Sequence, residues 1–301
     1  MTISSARDYY AQPGLITALD NHADELNSLP VEVAEICKVI QGLLIHYHTG
    51  NLYGVELPPS RLEEVRTRFV SRILDNILHL NPEPFTIARP PLERHIGCCR
   101  DFAVLCCAFL RLKGIPARVR VGFANYLEPN TDFWFDHWVT EYWNGRVEQW
   151  LRVDPQQDAI LRRQNKLSFD PLDIPAHQFT LAGEAWLACH SGKQSPTQYG
   201  FEPGETGMWI IRNNLLQDFA CLNKMEMTPW DSWGPSAQPY EALSEEVLQK
   251  LDCVAELTLS PDGSFAQLRA LYENEAELKV PPTVTSYTIL DEQTTEIIYA
   301  E

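Results

Sequence analysis

Gly97-Cys98-Cys99-Arg100-Asp101-Phe102-Ala103 opens a strongly apolar run that continues to Lys113 and stops at Gly114-Ile115-Pro116. The pattern predicts a helix from about Cys99 to Lys113. Gly114 suits the left-handed position that follows a helix, and Pro116 forbids continuation. The period then changes: Arg118-Val119-Arg120-Val121-Gly122-Phe123 alternates charge with apolar bulk, as a half-buried strand does. A cysteine in the first helical turn meets unpaired backbone N–H groups and the positive end of the helix dipole, and both favour a thiolate. Helix position alone does not choose between Cys98 and Cys99.

Two further strands are predicted at Phe133 to Trp143 and Arg146 to Val153, with the hairpin signal Asn144-Gly145 between them. A two-residue loop there pairs Trp143 with Arg146 and puts His137 opposite Arg152. Asp154 lies two residues farther along, so His137 and Asp154 project from one face as diagonal neighbours. A carboxylate so placed holds one imidazole nitrogen and leaves the other to act as a base. Thiolate, imidazole and carboxylate, here in the chain order Cys, His, Asp, are the parts that nucleophilic attack on an acyl carbon requires.

Four segments in order then become recognisable. They are Gly97-x-Cys99-Arg100-Asp101-Phe102-Ala103, Leu110-Arg111-x-x-Gly114-Ile115-Pro116-Ala117-Arg118, His137-Trp138-Val139-x-Glu141 and Trp150-x-x-x-Asp154-Pro155. Together they resemble the bacterial transglutaminase-like family, of the papain-like superfamily of cysteine proteases and acyltransferases. The resemblance implies an α+β fold in which a nucleophile helix packs on an antiparallel sheet. It also implies roles: Cys99 as nucleophile, which settles Cys99 over Cys98, His137 as general base and Asp154 as orienting carboxylate. The Cys99 backbone N–H supplies one oxyanion donor. The second is not specified, since the first Trp of the chain is Trp134 and the residues before the nucleophile, Glu93 to Ile96, include no Gln. Hydrolysis is therefore expected ahead of protein cross-linking, and no metal or organic cofactor is required. The phrases Gly207 to Leu215 and Leu222-Asn223-Lys224 resemble a C-terminal extension of some bacterial members.

Outward from this core, residues 30 to 48 carry apolar side chains at helical spacing, and a second helix is expected from Ser60, where Ser60 and Glu63 form a capping-box pattern, to Leu80. Arg61, Arg66, Arg68 and Arg72 are read as its solvated face. Past Pro155, helices are expected near 179–189, 209–223, 244–256 and 264–276, a loop-rich stretch at 191–207 and an extended polar tail over 280–301. The expected organisation is a catalytic core with N-terminal helices over 1–160 and a mainly helical extension over 161–301, either separate from the core or part of the same domain.

The 301 residues include 41 acidic and 24 basic side chains, for a net charge of -17. Such a surface repels phosphate backbones and anionic lipids, which excludes nucleic acid and membrane as favoured partners and suits a cationic peptide or amine substrate. No run reaches the ~20 apolar residues of a membrane span. Met1 to Pro13 lack the basic-then-apolar pattern of a secretory signal, so a cytoplasmic location is expected. The eight cysteines include the adjacent pairs Cys98-Cys99 and Cys106-Cys107, and the chain has no C-x-x-C pair, so free thiols are expected.

Plainer assignments compete at several positions. Cys98, Cys106 and Cys107 read as small packing residues, and His95 as a histidine of a surface loop. Arg100 and Asp101 read as an ion pair or a helix-start device. The pair His46-x-His48 lacks further metal ligands nearby. Two rival functions are a non-catalytic interaction module that keeps the fold, and a redox sensor built on the vicinal thiols.

Overall fold

The computed structural model describes residues 5–129, 131–287 and 293–299. The chain forms two compact units, one from the chain up to Val119 with Trp138–Pro175, the other from Arg120–His137 with the chain from Ala176 onward. The fold is α+β, as the sequence predicts.

In the first unit, α1 (Ala6–Tyr10) precedes α2 (Val33–Leu43), which buries Ile36, Cys37, Ile40 and Leu43. The expected helix over 30–48 ends early. Leu44–His46 instead form β1, which pairs in parallel with β2 (His95–Gly97) in the register Leu44↔His95, Ile45↔Ile96, His46↔Gly97. Near its end Gly42 lets another segment pack close, since a Cβ there would lie 2.8 Å from the Ala88 Cβ.

The helix expected from Ser60 is likewise divided. Pro59–Arg66 is a 3-10 turn without a side-chain cap, and α3 begins only at Val70 and runs to Leu80. Tertiary bonds claim the first segment. Glu64 accepts from the Arg61 guanidinium and from the Ile96 N–H at 2.9 Å, while Arg61 also donates to the carbonyls of Leu92 and Arg94, both at 2.7 Å. Only Arg72 of the four basic residues is solvated. Arg68 is buried, and Arg61 and Arg66 are largely covered.

Helix α4 spans Cys99–Leu112, with Gly114 at φ +72°, in agreement with the sequence. It is buried along nearly its whole length, and the Thr140 hydroxyl donates to the Ala103 carbonyl at 2.9 Å to seat it on the sheet. Strand β3 covers Ala117–Ala124, β4 Trp134–Asn144 and β5 Gln149–Val153. Both β3 and β4 run on from one unit into the other.

The β4–β5 hairpin departs from the predicted register. Its loop has four residues, 145–148, and the pairs are Asn144↔Gln149, Trp143↔Trp150, Glu141↔Arg152 and Thr140↔Val153. Arg152 therefore faces Glu141 and not His137. Gly145 does not adopt the positive φ of the expected turn. Glu148 takes it at +52°, and the Asn144 side chain accepts the Arg146 N–H at 2.9 Å. The long register is held by Trp143 and Trp150, edge to face at 5.9 Å, and by Glu141, which accepts from Arg152 at 2.9 Å and from Arg118 at 2.8 Å. A short helix, α5 (Ala159–Gln164), follows.

The second unit begins with β6 (Phe179–Leu181), a strand where the sequence predicts the start of a helix, and α6 (Ala182–His190) follows it directly. β6 pairs antiparallel with Gly122–Ala124 of β3, and the approach is close enough that a Cβ on Gly122 would sit 2.1 Å from the Thr180 carbonyl oxygen. The loop-rich stretch holds β7 (Tyr199–Glu202), parallel to the start of β4, and β8 (Glu205–Thr206). Helices α7 (Met208–Leu222), α8 (Glu245–Leu259) and α9 (Phe265–Asn274) match the expected positions. The tail forms the antiparallel pair β9 (Thr283–Tyr287) and β10 (Gln293–Ile297), and residues 288–292 lie outside the described residues. Inside this unit the fully buried Arg120 makes a two-pronged pair with Asp218, at 3.0 and 2.9 Å. Among the described residues no helix is long and apolar enough to cross a membrane.

Candidate active site

Cys99 is the first residue of α4 and is partly exposed, while its neighbour Cys98 is the N-cap and is buried. The start of the helix is fixed by Asp101. One carboxylate oxygen accepts the Cys98 N–H at 2.8 Å and the other accepts from Arg100 at 2.9 Å. Arg100 in turn donates to the carbonyls of Thr67 at 3.2 Å and Arg68 at 2.6 Å, which the break before α3 leaves available. Both alternatives offered for the Arg100-Asp101 dipeptide are thus realised together. Gly97 permits the arrangement, because a Cβ there would meet the Asp101 side chain at 3.0 Å.

The two vicinal thiols have different environments. Burial pushes the Cys98 thiol well above its ordinary value, and its hydrogen bond to Cys99 adds to the rise. Cys98 therefore stays protonated. Cys106 and Cys107 are buried in the same helix, as packing residues should be, and Cys106 is hydrogen-bonded to Cys37 of α2.

His95 is not the surface-loop residue expected. It sits in β2, fully buried, its Nδ1 2.7 Å from the Asn76 amide and its Nε2 without a partner. Burial holds its pKa below the ordinary imidazole value, so it is neutral at pH 7. The unfolded chain takes up a proton near pH 6.5 that the folded one refuses. Stability from this residue is therefore intact above pH 6.5 and falls, by up to ~1.4 kcal/mol per pH unit, as the pH drops below that value. His95→Phe should flatten the decline in urea midpoint between pH 7 and 5.5. An unchanged slope would show that His95 carries none of it.

In the second unit, His137 lies within β4, buried, with the Tyr126 ring edge-on at 5.9 Å. The strand is anchored just before it: the Asn214 amide of α7 donates to Asp136 at 2.6 Å and to the Gly122 carbonyl at 3.2 Å. Sequence reasoning passed over Asn214, although an Asn within a buried apolar helix is itself a signal that it holds a partner. Asp154, in the first unit, follows the last residue of β5 and is buried. Its backbone N–H donates to Pro171 at 2.8 Å, and its carboxylate accepts the Gln156 N–H at 3.0 Å, which sets its direction. Along the hairpin, His137 precedes the paired Thr140 by three residues and Asp154 follows Val153 directly.

His46-Tyr47-His48, weighed in the sequence only as a metal pair, has a setting that the sequence does not foresee. The β1–β2 register sets His46 opposite Gly97, and the Tyr47 N–H donates to the Gly97 carbonyl at 3.0 Å. The three aromatic rings lie against one another, Tyr47 stacked on His46 at 4.9 Å and tilted against His48 at 3.8 Å. Burial and His46 hold His48 below the ordinary imidazole value, while a thiolate at Cys99 pulls it upward. Among the described residues no group of three or more His, Cys, Asp and Glu side chains could hold a metal ion.

A solved structure of a candidate cysteine protease from Cytophaga hutchinsonii aligns with this chain at 17% identity and a TM-score of 0.33, over 60% of this chain and 47% of that one. This chain thus spans about half the length of that relative. No curated protein matches it. Residues 64–155, which include Cys99, His137 and Asp154, match the transglutaminase-like superfamily.

Proposed function

We propose that this chain is a cysteine-dependent amide-bond hydrolase, acting as a peptidase, amidase or deamidase through a thioester on Cys99. His137 takes the thiol proton, and the Cys99 sulfur attacks the amide carbonyl to form a tetrahedral intermediate. Its oxyanion is held in part by the Cys99 backbone N–H. Protonated His137 gives its proton to the leaving nitrogen, the carbon–nitrogen bond breaks and an amine or ammonia departs. Water, deprotonated by His137, then cleaves the thioester and restores the thiol. Asp154 holds the imidazole in the tautomer this sequence needs.

The observation that carries the reading is the division of labour between the vicinal thiols. Cys99 has solvent access at a helix N-terminus, and Cys98 is buried and held protonated. The match over residues 64–155 supports the same assignment. Hydrolysis is preferred over transfer to a second amine because water is the ubiquitous acceptor. The net charge of -17 favours a cationic peptide or amide substrate. The test is a screen of peptide amides and γ-glutamyl amides for release of ammonia or amine, with Cys99→Ala as control. Release that depends on Cys99 supports the reading. Release that survives its replacement, or incorporation of an added amine in place of hydrolysis, contradicts it.

A further inference from the structure

The reading above leaves the oxyanion with one donor, and the segment beside the nucleophile offers another. The β1–β2 pairing brings a sequence-distant strand end against Gly97, two residues before Cys99. That strand end is followed by Tyr47, bonded through its N–H to the Gly97 carbonyl, and then by His48. The His48 N–H donates to His46 Nδ1 at 3.2 Å, and the Thr49 N–H donates to the His46 carbonyl at 2.9 Å. The Tyr47 ring, 3.8 Å from that of His48, limits where the imidazole can turn.

We propose that His48 is the second oxyanion donor, giving an imidazole N–H to the tetrahedral intermediate formed at Cys99. The inference rests on Cys99 being the nucleophile. It rests also on the proximity of His48 to the sulfur, which the strand register and the electrostatic influence of Cys99 on His48 both indicate. A neutral imidazole is the appropriate donor. It carries one N–H, does not hold the resting thiolate in an ion pair, and gains its interaction only when charge develops on the carbonyl oxygen. Such a donor lowers the barrier to attack without altering the thiol.

Two reactions of Cys99 separate these effects. In alkylation by iodoacetamide a sulfur–carbon bond forms, iodide leaves and no oxyanion arises. In acetylation by p-nitrophenyl acetate the sulfur adds to the carbonyl, an oxyanion forms and collapses, and p-nitrophenolate departs as the thioester remains. His48→Ala is expected to slow acetylation by about 10²-fold while alkylation keeps its wild-type rate. His48→Gln, which retains an N–H donor, should recover part of the loss. Equal slowing of both reactions would mean that His48 acts on the sulfur, and an unchanged acetylation rate would mean that it acts on neither. Either result overturns the proposal. If Cys99 of the wild-type protein is no more reactive than an ordinary thiol in both reactions, the reading under Proposed function fails instead, and this inference fails with it.

Discussion

Replacing Cys99 with alanine is expected to reduce amide turnover on the order of 10⁵–10⁶-fold, and His137→Ala to cost about as much. In the proposed mechanism the two act as a unit, since a thiol without its base is mostly protonated at neutral pH and a base without its thiol has nothing to activate. The double variant should therefore be no worse than either single one. Under the proposed role of Asp154, Asp154→Asn is expected to cost less, on the order of 10⁴-fold, because an amide in place of the orienting carboxylate favours the wrong imidazole tautomer. The Asp154 N–H bond to the Pro171 carbonyl should survive the change, and the Asn side-chain oxygen can still accept the Gln156 N–H, so the loss reports chemistry rather than folding. Steady-state turnover of whichever amide the screen identifies, with circular dichroism as a folding control, gives all four values. Additive losses in the double variant would show that Cys99 and His137 do not share one step.

Asp101→Ala is expected to be the most damaging change to stability near the site. Asp101 and Arg100 are both fully buried, and the carboxylate serves at once as cap for the Cys98 N–H and counter-ion for the guanidinium. Its removal takes the counter-ion from a buried guanidinium that also donates to the carbonyls of Thr67 and Arg68. Breaking a buried pair from one side costs ~3–5 kcal/mol. Urea unfolding should show the loss as a lower midpoint. Asp101→Asn keeps an acceptor for the N–H and should lose less. A change below ~1 kcal/mol in the alanine variant would mean that Arg100 finds another partner and that the helix start does not depend on Asp101.

How far the sequence carries depends on how local each decision is. Helix α4 was legible because its limits are written in adjacent residues, Cys99 at one end and Gly114 with Pro116 at the other. The break at residues 67–69 was not, since it feeds carbonyls to Arg100, some thirty residues away. The hairpin signal at Asn144-Gly145 named the right pair of strands and the wrong loop. Glu141 is shared by Arg118 and Arg152, and the Trp143–Trp150 contact acts with it, which outweighs the turn preference of two residues. The slip is an even number of residues, so the alternation of faces along each strand survives it. His95 and the His46-Tyr47-His48 group were misjudged for one reason. Their surroundings are set by the parallel pairing of β1 with β2, and no sequence period announces a pairing between strands fifty residues apart.

The most direct test of the central claim is the rate of iodoacetamide labelling at each cysteine, followed by peptide mass spectrometry from pH 5 to 9. Six of the eight thiols are buried, Cys253 is exposed and Cys99 is partly so, which makes Cys253 an internal standard. Cys99 is expected to react faster than Cys253, to stay reactive below pH 7, and to lose that advantage in His137→Ala. Labelling of Cys99 no faster than Cys253 at every pH, and indifferent to His137, would contradict the account.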